Sequence, residues 1–124
     1  MSSYLPKRLG KYGEELAARY LQSSGYLIRA RNYRLRCGEV DIIAEKDDVI
    51  AFVEVKTRTS TRFGTPLDAV DRRKQRQLSR LAAYYLQQNR EQDKTARFDV
   101  LAIILDQEAE PIIELVADAF DYIE

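Results

Sequence analysis

GEVDIIAEKDDVIAFVEVKT, residues 38–57, is the stretch from which the fold of this chain can be read. Two β-prone runs, EVDIIAEK (39–46) and VIAFVEVKT (49–57), are separated by Asp47-Asp48, whose short polar side chains suit a tight turn. They predict two adjacent antiparallel strands. Gly38 marks a turn just upstream, and YLIRARNY (26–33) predicts a further strand, so the segment reads as a hairpin pair or meander. Side chains alternate along a strand, which puts Ile50, Phe52, Glu54 and Lys56 on one face and Ala51, Val53 and Val55 on the other. Glu54 thus falls among hydrophobic neighbours, where a lone carboxylate costs several kcal/mol unless it is paired or binds a cation. Lys56 projects the same way about 6.6 Å further along the strand, close enough for both residues to reach one small ligand. Asp41, between Val40 and Ile42, is a second acid in an apolar run, and pairing through the Asp47-Asp48 turn brings it near Glu54. Two close carboxylates repel unless a cation lies between them.

Working outward, GKYGEELAARYLQSS (10–24) has helical periodicity, with Gly13, Leu16, Ala17, Tyr20 and Leu21 on one stripe and Gly25 as its stop. RTSTRFGTPLD (58–68) reads as a loop, followed by a helix from about Asp68 to Asn89 that turns Val70, Leu78, Leu81, Ala82, Tyr85 and Leu86 inward. ARFDVLAIIL (96–105) and PIIELVA (111–117) predict two more strands, so the second helix crosses over the sheet. The order αβββαββ describes an α/β sandwich around a mixed sheet. With 124 residues and no linker or repeat, the whole of 1–124 is expected to be one domain.

Composition narrows the chemistry. Histidine is absent and Cys37 is the single cysteine, which excludes serine and cysteine triads, histidine-base nucleases and ordinary zinc cages. A cation held by the acids would be a hard one, Mg²⁺ or Mn²⁺. Cys37 has no partner for an internal disulfide and is read as an inert thiol; with no secretory leader and no apolar run of ~20 residues, the expected compartment is the cytoplasm, without membrane insertion.

The net charge of zero conceals segregation. Residues 1–40 hold eight Lys/Arg against three Asp/Glu, 41–55 one against five, 56–97 eleven against four, and 98–124 none against eight. Basic segments flanking a short acidic one suit a phosphate-backbone binder built around a cation site, although small domains also carry both signs on solvated faces.

Gly38-Glu39-Val40-Asp41 followed by Phe52-Val53-Glu54-Val55-Lys56 resembles the PD-(D/E)xK nuclease superfamily. With Gly10-x-x-Gly13-Glu14-x-x-Ala17, Arg31-Asn32, Val53-Glu54-Val55-Lys56-Thr57-Arg58, Phe63-Gly64 and Arg97-Phe98-Asp99-Val100, nearly the whole chain resembles the small bacterial UPF0102 family, also called the YraN family. The resemblance implies a restriction-endonuclease-like αβββαβ core, a central mixed sheet flanked by helices, similar to archaeal Holliday-junction resolvases. It also implies a catalytic set of Glu14, Asp41, Glu54 and Lys56, with Lys74 as an addition.

The reading that follows is a metal-dependent nuclease acting on DNA, branched DNA included, with a homodimer as an admitted assembly. Asp41 and Glu54 would ligate Mg²⁺ or Mn²⁺, and Glu14 would complete the shell or reach a second metal, with Gly13 allowing close backbone approach; Lys56 would orient water and offset negative charge. Arg58, Arg62, Arg72, Arg73, Lys74 and Arg76 would contact phosphates, and Tyr12, Tyr33 and Phe63 are candidates for stacking on bases. Plainer accounts stand beside these. Glu14 also suits the positive end of a helix, Glu54 with Lys56 suits an exposed edge strand, and Glu39 is expected to hold an arginine rather than a metal. The rival functions are a non-catalytic nucleic-acid binder with a vestigial site and a protein-interaction module carrying an acidic C-terminal stretch.

Overall fold

The computed structural model describes residues 7–59, 70–106 and 109–123. Its elements are α1 (Lys7–Ser23), β1 (Leu27–Leu35), β2 (Gly38–Lys46), β3 (Val49–Arg58), α2 (Arg72–Gln88), β4 (Thr95–Ile104) and β5 (Ile112–Phe120). The predicted αβββαββ order is the observed one.

The five strands form one mixed sheet in the order β1-β2-β3-β4-β5. The meander β1-β2-β3 is antiparallel, α2 carries the chain over to β4 parallel with β3, and β5 returns antiparallel to β4. This mixed sheet with its two helices is consistent with a restriction-endonuclease-like core. Asp47 and Asp48 both take positive φ, 52° and 65°, and join Lys46 to its partner Val49 through a two-residue turn. The acidic C-terminal stretch is drawn into the sheet as β5, paired with β4 from Phe120 to Ile112.

Each face of the sheet has its own core. Ile50, Phe52, Phe98 and Val100 pack with Leu78, Leu81, Ala82, Tyr85 and Leu86 of α2, while Ala51, Val53, Leu101 and Ile103 pack with Ala17, Ala18 and Leu21 of α1. The alternation predicted along β3 therefore holds, and the apolar stripe of α2 is the one its periodicity indicates. Tyr33 lies edge-on to Tyr85, with ring centroids 5.4 Å apart, so it is part of this packing and is removed from the candidates for base stacking. Tyr12 remains exposed, and Phe63 lies outside the described residues.

Helix termini follow local chemistry. Gly25, at φ 94°, ends α1: its N–H donates to the Gln22 carbonyl and the Tyr26 N–H to the Leu21 carbonyl, the paired bonds of a Schellman cap. The start of α2 is Arg72 rather than the expected Asp68, because Asp71 adopts an extended conformation and its carboxylate accepts the Lys74 N–H at 2.9 Å, which makes it the N-cap. Strands β1 and β5 run two and three residues beyond their predicted ends, sustained by ladder pairs such as Leu35↔Gly38 and Phe98↔Phe120. Among the described residues no helix is long and apolar enough to cross a membrane.

Gly13 fixes how α1 meets the sheet. A Cβ there would collide with the Oγ1, Cβ and Cγ2 atoms of Thr57 on β3, so the glycine lets the helix backbone lie against the strand. In an exposed helix, Gly→Ala stabilises by about 1 kcal/mol, whereas overpacking costs about 1–3 kcal/mol. Gly13→Ala is therefore expected to lower the thermal midpoint despite its better helix propensity. Thr57→Ala in the same chain should recover part of the loss; an increase in midpoint for Gly13→Ala alone would show that the helix does not need this approach.

Candidate active site

The site forms where β2 and β3 stop pairing. Their register runs from Lys46↔Val49 to Ile42↔Val53, above a layer in which Ile42, Ile43, Phe52 and Val53 are fully buried. One step beyond, the register sets Asp41 against Glu54. Here the Asp41 Oδ2 accepts the Val55 N–H at 2.7 Å, so a carboxylate takes a backbone donor of the neighbouring strand. The half-buried Asp41 is thereby locked beside β3. Burial and the nearby Glu39 raise its pKa; the Val55 N–H, Lys56 and Lys74 oppose that rise.

Glu54 is only 4% exposed, so the account of it as half of a solvated edge-strand pair does not hold; β3 is also an interior strand. Its Oε1 is buried with no hydrogen-bond partner among the described residues, and its Oε2 lies 3.6 Å from the Lys74 ammonium. Burial, with the charge of Asp41 second, pushes its pKa up to about 7, against the pull of Lys74 and Lys56. Unlike a structural acid, it is under-satisfied. Asp99 supplies the contrast: it is fully buried, yet its carboxylate accepts two hydrogen bonds from Arg97 and one from the Asp118 N–H. The buried Glu91 Oε1 also makes no well-aligned hydrogen bond, but it lies 2.7 Å from Arg29 Nη2, and bonds from Arg29 and Lys94 hold the Glu91 pKa down at about 2. Among the described residues Glu54 has no such partner at its Oε1.

Glu14 is brought to the same end of the sheet by α1. Its pKa is raised by burial and next by Asp41, and lowered by Arg31 and by a hydrogen bond with Asn32. The helix-end explanation of this acid is removed, because α1 begins at Lys7 and has no acid in its first turn, while dipole effects fade beyond that turn. Neighbouring Glu15 instead pairs with Arg19 and Arg31. Glu14 senses Asp41, but among the described residues no three carboxylates come together closely enough to form a ready cation cage. The sequence-derived triad is thus a close pair, Asp41 and Glu54, with Glu14 standing off from it.

Lys56 is half-buried, and its charge favours ionisation of both Asp41 and Glu54; among the described residues it makes no ion pair. Lys74 reaches further into the site than a phosphate-contacting role alone predicts: its ammonium donates to the Glu39 carbonyl at 3.1 Å and faces Glu54. Glu39 holds Arg34, as expected, through bonds of 2.9 and 3.1 Å. A groove of about 300 Å³, bounded by Arg34, Leu35, Gly38, Glu39, Lys74 and Gln77, leads to this point. Arg72, Arg73 and Arg76 are exposed along the start of α2; Arg58 is half-buried at the end of β3, and Arg62 lies outside the described residues. Arg31 and Asn32 enter the sequence reading only as part of the family pattern, with no role at the site given to them. Their signal was an asparagine in mid-strand, a poor strand former that here takes φ 53°.

The geometry defines an α/β protein with an under-neutralised pair of acids at a strand end, the buried Glu54 beside the half-buried Asp41, flanked by two lysines. Residues 13–103 match the Uncharacterised protein family UPF0102. A UPF0102 protein of Geotalea daltonii is 49% identical over 115 residues, covering 93% of this chain and 91% of its own. Another from Trichlorobacter lovleyi is 50% identical over 114 residues, covering 91% and 90%, and one from Moorella thermoacetica is 48% identical over 115 residues, covering 92% and 96%. The chain belongs to the UPF0102 family.

The Glu54 environment sets a pH dependence. With a pKa raised from 4.5 to about 7, the folded protein keeps a proton that the unfolded chain has lost over that window, so this group makes stability fall as pH rises through it. In chelator, Glu54→Gln should be more stable than wild type at pH 8, by on the order of 2 kcal/mol, with the advantage shrinking toward pH 5. Parallel denaturation curves at the two pH values decide it; a Gln variant less stable at pH 8 would mean that the carboxylate is well neutralised.

Proposed function

We propose that this protein is a divalent-cation-dependent nuclease of the PD-(D/E)xK kind, acting on DNA. The carrying observation is the Glu54 Oε1, a buried carboxylate oxygen without a partner among the described residues, beside a second acid. An orphaned buried anion is costly unless something of opposite charge completes it. The donors are all oxygens and the chain has no histidine, so the residues fit Mg²⁺ or Mn²⁺. Asp41 and Glu54 would hold the ion, with Glu14 as the third carboxylate. When bound, such an ion supplies positive charge that makes water more acidic and offsets the charge developing on a phosphate.

The chain's own groups do the remainder. Val55 keeps Asp41 in place through its N–H, and Lys56, whose charge favours the ionised Asp41, would orient the attacking water and stabilise negative charge on the phosphate oxygens. Arg72, Arg73 and Arg76 form an exposed row that can follow a phosphate backbone, with Arg58 at the end of β3; Arg62, outside the described residues, joins them on the sequence alone. Phosphate contacts carry no base identity, so the preference would be for DNA shape, branched DNA included, over sequence. A cytoplasmic location and a homodimer belong to the same reading.

One observation favours a second reading, a non-catalytic nucleic-acid binder: the described acids form a pair and no three of them converge on one point. A single comparison separates the two. Wild type and Asp41→Ala are titrated with Mn²⁺ and Mg²⁺ by calorimetry, then incubated with labelled single-stranded, duplex and four-way-junction DNA. The nuclease reading expects metal binding and cleavage in wild type and loss of both in Asp41→Ala. DNA binding by wild type without metal binding or cleavage would transfer the assignment to the binder.

The basic row has its own test. Replacing Arg72, Arg73 and Arg76 together with Gln should weaken DNA binding at every sequence and flatten the plot of log affinity against log salt by about two to three units, about one per lost phosphate contact. An unchanged slope would remove α2 from the interface.

A further inference from the structure

Lys74 has two attachments that a phosphate-binding side chain does not need. Its backbone N–H is fixed by the N-cap Asp71, and its ammonium crosses from α2 to β2, where it donates to the Glu39 carbonyl at 3.1 Å. There it lies 3.6 Å from the Glu54 Oε2, and it opposes the rise in the Glu54 pKa more strongly than Lys56 does. Its side chain is 26% exposed against 5% for Glu54, so it approaches the buried acid from the solvent side. The contact is loose: 3.6 Å is an ion pair without a short hydrogen bond, and among the described residues the one direct bond of the ammonium goes to a neutral carbonyl while the Glu54 Oε1 stays unpartnered. A counter-charge held in this manner is exchangeable.

We propose that Lys74 is a resident counter-ion of the acid pair, standing beside Glu54 in the metal-free protein and displaced from it when a divalent cation binds. This rests on the metal reading of the site and adds to it a built-in competitor. The fold gains a stable metal-free state, because the Lys74 ammonium adds its positive charge beside the buried carboxylate. It gives up metal affinity, because that charge must be moved or tolerated near the ion. The groove bounded by Arg34, Gly38, Glu39 and Gln77 adjoins Lys74 and gives the side chain somewhere to turn.

The test uses Mn²⁺ calorimetry and chelator-treated thermal melts at pH 8 on wild type, Lys74→Met, Lys74→Arg and Arg72→Met, the last removing an exposed charge two residues away. Lys74→Met should bind Mn²⁺ about tenfold more tightly than wild type and melt at a lower temperature when metal-free. Lys74→Arg should stay near wild type on both measures, and Arg72→Met should change Mn²⁺ affinity by less than about twofold because it is exposed and screened. Equal or weaker Mn²⁺ binding by folded Lys74→Met overturns the proposal, as does equal tightening in Arg72→Met, which would show a general field effect. If Lys74→Met does not fold, Lys74→Gln keeps a donor for the Glu39 carbonyl and carries the same expectation. Should wild type and all variants fail to bind Mn²⁺, the metal reading itself fails; metal binding that is indifferent to Lys74 refutes the counter-ion alone.

Discussion

The bond from the Val55 N–H to the Asp41 carboxylate organises this protein. It comes at the last point where β2 and β3 are still close, immediately past the Ile42↔Val53 pair, and lets a side chain take a hydrogen bond that another strand's carbonyl would otherwise accept. A buried N–H must find an acceptor, and an anionic one forms a stronger bond than a carbonyl. Asp41 is therefore fixed beside the buried Glu54, and the repulsion between the two is built into the fold. The fully buried layer below, with Ile42, Ile43, Phe52 and Val53, gives the strands no freedom to relax it.

Both helices are set in relation to that point. α1 rests its backbone at Gly13 on Thr57, two residues beyond Val55, which delivers Glu14 into the field of Asp41. α2, started by the Asp71 cap, sends Lys74 across to the carbonyl of Glu39 and the carboxylate of Glu54. The opposite end of the sheet is handled differently. There Arg29, Glu45, Glu91 and Lys94 form a closed network with contacts of 2.6–3.7 Å, in which every acid meets a base. The same residue types thus stabilise one end of the molecule and remain incompletely neutralised at the other. Perturbed, under-neutralised acids are the more informative sign of function.

Much of the architecture was legible because it follows from periods. Alternation in residues 49–57 assigned both faces of β3, and the 3.6-residue stripe of α2 named the buried side chains from Leu78 to Leu86. Glu54 and Asp41 stood out because apolar strands seldom carry acids. Boundaries were less legible where a single side chain decides them, as Asp71 does for α2. Tyr33 illustrates a different gap: an aromatic in a polar strand looks available for stacking until its neighbour Tyr85, 52 positions away in the chain, is placed against it.

The sequence by itself determined the element order, the two core faces and the presence of acids where water is scarce, since each is a local consequence of side-chain period and polarity. Only the tertiary structure decided how those acids are satisfied. Whether a buried carboxylate is neutral, paired or orphaned depends on donors and charges delivered from distant positions. Arg97 and the Asp118 N–H complete Asp99, while Lys74, twenty residues beyond Glu54, reaches one of its oxygens and the other is left unmatched among the described residues. Coulomb and hydrogen-bond energies depend on separations in space of a few ångströms, and those are fixed by how helices and strands pack rather than by their order along the chain.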